Sequence, residues 1–291
     1  MAQSAASSPP VEAVRRGVSR GVFVAVVVIV AIIAAAGGIF AGKALYGGSS
    51  SKTQYLVVGT NVPFPPFESY NSSTNSYYGL DINFSHYIAT ALGRTLVIDN
   101  YEDFTTLLVD VGHGVVDMAA SAITESGSIG AARNATMTFS IPYYDANQAV
   151  LVKNGSSLHC PSTGCTVANL SSLKIGVQTG TSSQAWTSAY LTPANETGGG
   201  AVTAYATVDT EVTLLLAGTL DAVIIDYGPA LSYASASSGQ LVVAGEIFTN
   251  ELYGFAVQHG DPEHILTVID YVINQCVANG TYNAWLKYWF P

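Results

Sequence analysis

Positive charge is scarce in this sequence. Its 291 residues hold 10 Lys and Arg against 20 Asp and Glu, a formal net charge of −10. A phosphate backbone needs a dense basic surface, so nucleic acid is excluded as a partner. Cysteine is nearly as sparse. Three thiols with no histidine cluster nearby cannot close a four-ligand zinc or iron–sulfur shell, and no metal or cofactor is expected. Only 10% of residues are charged, yet the chain does not read as disordered, because 49% are hydrophobic and supply a core. The length suits one large domain or two small ones.

Long apolar runs are missing too, with one exception. Gly21 to Gly42 is a stretch of 22 residues with no charged or strongly polar side chain, rich in Val, Ile and Ala. At a rise of about 1.5 Å per residue such a helix crosses a hydrocarbon core of about 30 Å. It exceeds the usual length of a cleaved secretory segment, and no lipid-acceptor cysteine follows it. The run is therefore read as an uncleaved signal anchor at 21–42. Arg15, Arg16 and Arg20 precede it and place a tail, 1–20, in the cytoplasm by the positive-inside rule. Residues 43–54, with Gly47 to Ser51 at their centre, read as a flexible linker, and the remainder is expected outside the cell membrane.

An outside location agrees with glycosylation acceptors beginning at Asn71, Asn83, Asn134, Asn154, Asn169, Asn195 and Asn279. Cys160 and Cys165 flank a Pro-Ser-Thr-Gly turn, a spacing that suits a small disulfide loop; two free thiols are the alternative. Cys276 is left over on an apolar helical face and reads as a buried small hydrophobe. From Tyr55 onward stand only Arg94, Arg133, Lys153, Lys174 and Lys287 against 19 acids, a balance suited to an acidic habitat.

Hydrophobic periodicity predicts α/β structure. Tyr55–Gly59, Leu96–Ile98 and Val115–Ala120 read as strands, separated by helices over Asp81–Leu92 and Phe104–Val111. The pattern repeats with strands at Lys174–Val177, Val202–Tyr205, Ala222–Ile225, Leu241–Ala244 and Gly254–Gln258. Helices are expected at Ser182–Tyr190, Asp209–Ala217, Gly228–Ala236, Pro262–Ala278 (capped by Asp261) and Tyr282–Trp289. Two such α/β units facing each other make a cleft at the carboxyl ends of their strands, a favoured small-molecule site.

Eight segments in order then carry a resemblance: VVGTNVPFPPFES at 57–69, YGLDINFSHYIATALG at 78–93, FTTLLVDVGHGVVDMAASAIT at 104–124, RNATMTFSIPYYDANQAVLV at 133–152, LKIGVQTGTSS at 173–183, GTLDAVIIDYGPALSY at 218–233, YGFAV at 253–257 and NGTYNAWLKYWF at 279–290. In these the chain resembles a family 3 extracellular solute-binding protein, the polar amino acid receptors of ABC importers. The resemblance implies a two-lobed type II periplasmic-binding fold with a two-strand hinge. Lobe 1 would comprise 55–147 and 254–291, and lobe 2 residues 148–253. It also implies an amino acid ligand, and permease and ATPase subunits as separate chains.

An amino acid zwitterion needs a cation for its carboxylate and an acid for its ammonium. Arg133 matches the family's carboxylate-binding arginine, whose planar fork binds bidentately. One departure is visible: Glu125 to Ala132, eight residues, separate Thr124 from Arg133, where the family usually has about four. Asp226 matches the ammonium-binding acid, with a helix N-cap as its bland alternative. Ser121, Ala122 and Thr124 match the strand end that contacts both ligand groups. Thr181 and Ser182 open a helix and match the second-lobe carboxylate site; without the resemblance they read as capping. Phe64 and Phe104 match the aromatic walls, whereas Phe67 reads as core. Asn61 and Gln178 stand where specificity is usually set. Both are neutral amides where relatives often carry an acid and a base, which points to a neutral polar ligand. Tyr253 is split evenly between lining the cleft and packing the hinge.

Two other functions fit the same fold: a cyclic-acid dehydratase or transglycosylase, and a ligand-sensing receptor. An enzyme needs a general acid, for which Glu68 or Glu125 would serve, but neither has a partner that the sequence identifies. No catalytic residue is assigned, and the importer receptor is preferred.

Overall fold

The computed structural model describes residues 54–192 and 198–290. The expected tail, the anchor, nearly all of the linker and the acceptor at Asn195 lie outside the described residues. Among the described residues no helix is long and apolar enough to cross a membrane.

The chain begins with β1 (Tyr55–Thr60), whose Leu56 and Val58 are fully buried. A hairpin of β2 (Ser69–Asn71) and β3 (Ser76–Tyr78) leads into α1 (Leu80–Leu92), β4 (Thr95–Asn100) and α2 (Phe104–His113). There follow β5 (Met118–Ala119), α3 (Gly127–Asn134) and β6 (Met137–Phe139). The long strand β7 (Tyr144–Lys153) then leaves for a second sheet. That part holds α4 (Val167–Leu170), β8 (Lys174–Gln178), α5 (Ser182–Trp186), β9 (Ala201–Tyr205), α6 (Val208–Ala217), β10 (Ala222–Asp226), α7 (Tyr227–Ala236) and β11 (Leu241–Tyr253). The chain returns to the first sheet in β12 (Ala256–Gln258) and ends in α8 (Leu266–Ala278) and α9 (Thr281–Trp289).

The first sheet has the order β4-β1-β5-β12-β6, with β4, β1 and β5 parallel. The second has the order β11-β7-β10-β8-β9, with β10, β8 and β9 parallel. Each is covered by its own core: Leu107, Val111, Val116 and Met137 in one case, Val152, Ile175, Val177 and Ile224 in the other. Burying each such side chain stabilises the fold by about 1.5–3 kcal/mol. β7 and β11 are the passages between the sheets, and they pair antiparallel from Leu241↔Lys153 to Tyr253↔Tyr144.

Several boundaries differ from the sequence reading. The strands expected at Leu241–Ala244 and Gly254–Gln258 are the 13-residue β11 followed by the short β12. Gly245 and Asn250, which look like breaks in the sequence, sit at register shifts within one strand. The helix expected from Pro262 begins at Leu266, although the Asp261 carboxylate still takes its leading N–H groups, from Ile265 at 3.0 Å and Leu266 at 3.1 Å. The helix expected to reach Tyr190 is α5 followed by a π-helical turn over Thr187–Leu191. The strand expected over Val115–Ala120 pairs only at Met118–Ala119.

Two local features bear on the site. The lengthened segment after Thr124 folds as α3 and carries Arg133 in its last turn. Gly130 lets that helix lie against the chain, because a Cβ there would come 2.1 Å from the Glu125 carbonyl. On the far side of the second sheet, Cys160 and Cys165 form the disulfide, with Cα atoms 4.8 Å apart. Their loop covers the free edge of β11: Cys160 N–H donates to the Ala244 carbonyl at 3.2 Å, and Cys165 N–H to that of Glu246 at 2.6 Å. Cys276 is free and buried, as its apolar surroundings suggested.

Candidate functional site

The carboxyl ends of β1, β5, β8 and β10 converge on one cavity between the two sheets. All eleven residues singled out from the sequence line it, together with Glu68. The free space is about 20 Å3, room for one water molecule, because polar side chains reach across from both sides.

From the first sheet come the residues after β1 and β5. Asn61 donates its side-chain amide to the Tyr101 carbonyl at 2.7 Å, and its backbone N–H goes to the Ser121 hydroxyl at 3.0 Å. Ser121 in turn donates to Glu68 Oε1 at 2.8 Å. Ala122 stands at φ 48, a conformation costing about 1–3 kcal/mol for a residue with a side chain. Asp81 holds it there: its Oδ2 accepts the Ala122 N–H at 2.9 Å, and the Tyr143 hydroxyl donates to the same carboxylate. Burial pushes Asp81 up to about 7 against those hydrogen bonds.

Arg133 is 7% exposed and is the one basic side chain lining the cavity among the described residues. Its Nη1 donates to the Thr124 carbonyl at 2.8 Å, and its Nη2 crosses the cleft to the Gly180 carbonyl at 2.9 Å. The Phe104 ring lies below it, 5.6 Å from the guanidinium carbon to the ring centroid, a cation–π contact. Burial lowers Arg133 to about 10, opposed by the charges of Glu251 and Asp226, so it stays protonated at neutral pH.

From the second sheet, Gln178 donates across the cleft to Asn61 Oδ1 at 2.8 Å. Thr181 faces the cavity, but its hydroxyl serves its own turn, donating to the Gln178 carbonyl at 2.7 Å and capping Gln184 N–H at 3.2 Å. Ser182 Oγ accepts from Gln148 at 3.2 Å. Asp226 occupies the N-cap position of α7 without capping it. Its Oδ1 instead accepts from Gln148 at 2.9 Å and from the Tyr253 hydroxyl. Burial, then the charge of Glu251, pushes Asp226 up to about 7. Phe64 stands half-buried at the rim, while Phe67 is fully buried in an aromatic cluster with Tyr144, Tyr253 and Phe290.

Sequence reasoning named Glu68 only as the general acid of the enzyme alternative, not as a ligand-binding residue, and missed Gln148 and Glu251 behind the cavity. Glu68 is fully buried, and its Oε2 has no hydrogen-bond partner. Burial, then the charge of Asp81, holds it well above the ordinary carboxylate range. The cavity thus presents one permanent cation, an acid poised near neutrality, and a second, fully buried acid beside two amides. That set grips a small molecule with a negative end, a positive end and a polar body.

A family model described as bacterial extracellular solute-binding proteins, family 3, matches residues 56–291. The L-cystine-binding protein TcyJ of Escherichia coli (strain K12) is 26% identical over 235 residues, 81% of this chain and 82% of its own length. An ancestral arginine-binding protein solved with arginine superposes with a TM-score of 0.71 at 27% identity, over 82% of this chain and all of its own. An ancestral amino acid-binding protein that preceded cyclohexadienyl dehydratase superposes at 0.70 with 26% identity, over 82% of this chain and 96% of its own.

Proposed function

Because the chain belongs to family 3 of the bacterial extracellular solute-binding proteins, we propose that it captures an amino acid between its two lobes and hands it to an ABC importer. The observation that carries this reading is that Arg133, on the helix α3, and Asp226, at the end of β10 in the second sheet, line one buried cavity. Arg133 binds the ligand carboxylate through its planar fork. Asp226 gives up its proton to meet the ammonium. Thr124 and Ser182 add hydroxyl contacts, and Phe64 and Phe104 flank the ligand side chain.

Asn61, Gln178 and Glu68 face the ligand's distal end. The two neutral amides offer both donors and acceptors without net charge, which favours a neutral polar side chain. Capture requires the lobes to part, since the Arg133–Gly180 and Gln178–Asn61 hydrogen bonds bridge the space that a ligand fills. Binding energy then drives hinge closure. A tether through residues 21–42 would keep the receptor beside its permease, on the outer face of the membrane. The apolar run and the arginines before it support that placement, and fractionation of cells with carbonate-washed membranes tests it.

A thermal-shift screen of the full-length protein against the twenty amino acids tests the ligand class. A true ligand raises the unfolding midpoint by mass action, and no shift with any of them defeats the reading. A second reading, a dehydratase-like enzyme, is favoured only by Glu68 as a fully buried acid lining the cavity. Turnover of a cyclic hydroxy acid in the same samples would support it.

A further inference from the structure

Gln148 lies on β7 and Glu251 on β11, the two strands that pass between the sheets, and both are buried. Glu251 Oε1 accepts from Gln148 Nε2 at 2.9 Å, and its Oε2 accepts from the Thr124 hydroxyl at 2.7 Å. The same Gln148 amide donates to Asp226 at 2.9 Å, while its Oε1 accepts from Ser183 at 2.6 Å. Thr124 holds Arg133 through its carbonyl at 2.8 Å. A chain of bonds therefore runs Arg133–Thr124–Glu251–Gln148–Asp226, joining the cation to the acid behind the cavity.

The backbone is shaped to place Glu251. Ile247 pairs with Gln148 and Glu251 with Ala146, so four steps along β11 match two along β7. Asn147 fills the bulge, its Oδ1 accepting from Thr249 N–H at 3.1 Å and Asn250 N–H at 3.0 Å, with Asn250 at φ 51. A bulge bends its strand and re-aims the side chains beyond it. Here the two extra residues keep the alternation in phase and set Glu251, in place of Thr249, opposite Ala146.

We propose that Glu251 is a positioning residue: with Gln148 it forms a latch on the hinge strands that sets Arg133 and Asp226 at a fixed separation when the lobes are shut. This rests on reading those two residues as the ligand's anchors. The charge of Glu251 also matters. It supports the buried Arg133 cation and opposes ionisation of Asp226, helping to hold that acid at about 7. Around Glu251 stand Arg133 from α3, Asp226 from β10 and the Tyr253 phenol from β11 itself.

Glu251→Gln, an isosteric change, tests the charge, and Gln148→Leu tests the bonds. In full-length protein, Glu251→Gln should weaken amino acid affinity on the order of tenfold. It should also move the acid limb of the binding–pH profile to lower pH, because Asp226 ionises more easily without its neighbour. A purely structural role would lower the unfolding midpoint and leave that limb in place. Unchanged affinity together with an unchanged limb overturns the latch. Small-angle scattering without ligand gives an independent arm: Gln148→Leu should enlarge the radius of gyration relative to wild type. If wild type binds no amino acid, the proposed function fails, and the latch then stands or falls on this scattering difference alone.

Discussion

Gln178, at the end of a strand in the second sheet, donates its amide to Asn61 Oδ1 in the first at 2.8 Å. Each amide is oriented from behind by a backbone carbonyl, that of Ala206 at 3.1 Å for Gln178 and that of Tyr101 at 2.7 Å for Asn61. The pair is thus fixed in direction and bridges the cleft where a ligand side chain would end. Asn61→Asp should shift preference toward lysine and arginine over glutamine on the order of tenfold, because a carboxylate recruits a cation. Competition binding measures the ratio, and an unchanged ratio removes Asn61 from the specificity set.

Arg133→Ala should weaken binding on the order of 100-fold, since a buried ligand carboxylate would lose its paired donors. Arg133→Lys should recover only part of that loss, because a point charge cannot reproduce the fork. Titration calorimetry of both variants checks the order. Equal affinity for wild type and Arg133→Ala would remove the anchor.

Gly130→Ala should act through the same side chain from a distance. The added methyl would meet the Glu125 carbonyl at 2.1 Å and push α3 away from its seat. Affinity should drop while circular dichroism stays near wild type.

Binding should depend on pH through Asp226. Its carboxyl sits at about 7, so the ammonium finds a ready carboxylate above that value. Affinity should be flat above about pH 7 and fall as the pH drops below it, and Asp226→Asn should abolish the slope.

Stability should run the other way. Glu211 is fully buried with neither oxygen hydrogen-bonded, and burial raises it from 4.5 to about 9. A carboxyl raised in the folded state keeps its proton while the unfolded chain loses one. Folding is therefore favoured most below the unfolded value, and stability falls by roughly 1.4 kcal/mol per pH unit between the two. Urea titrations from pH 4.5 to 9 should show that decline, and Glu211→Gln should flatten it.

The sequence carried much of the two sheets because most of their elements announce themselves locally, although the strands Ser69–Asn71, Ser76–Tyr78, Met137–Phe139 and Tyr144–Lys153 were not read from it. Tyr55–Thr60 is β-branched, and Gly114 ends α2 in a left-handed turn at φ 73. The lining residues followed from the resemblance, not from periodicity. What stayed hidden is tertiary. Glu251 reads as one acid in a strand until the bulge sets it opposite Ala146 within reach of Gln148, and Asp81 reads as a helix start until Ala122 docks on it. The extra residues before Arg133 read as loop because Gly127 and Gly130 are poor helix formers, yet packing makes them helical.

Arg133 rides a short helix seated by a glycine, whereas Asn61 and Gln178 hang from strand ends, one on each side of the cleft. Holding the shared backbone of every amino acid and choosing among their side chains are tasks given to separate pieces of scaffold. Such a receptor can change its diet by one or two substitutions at the choosing end and never disturb its grip.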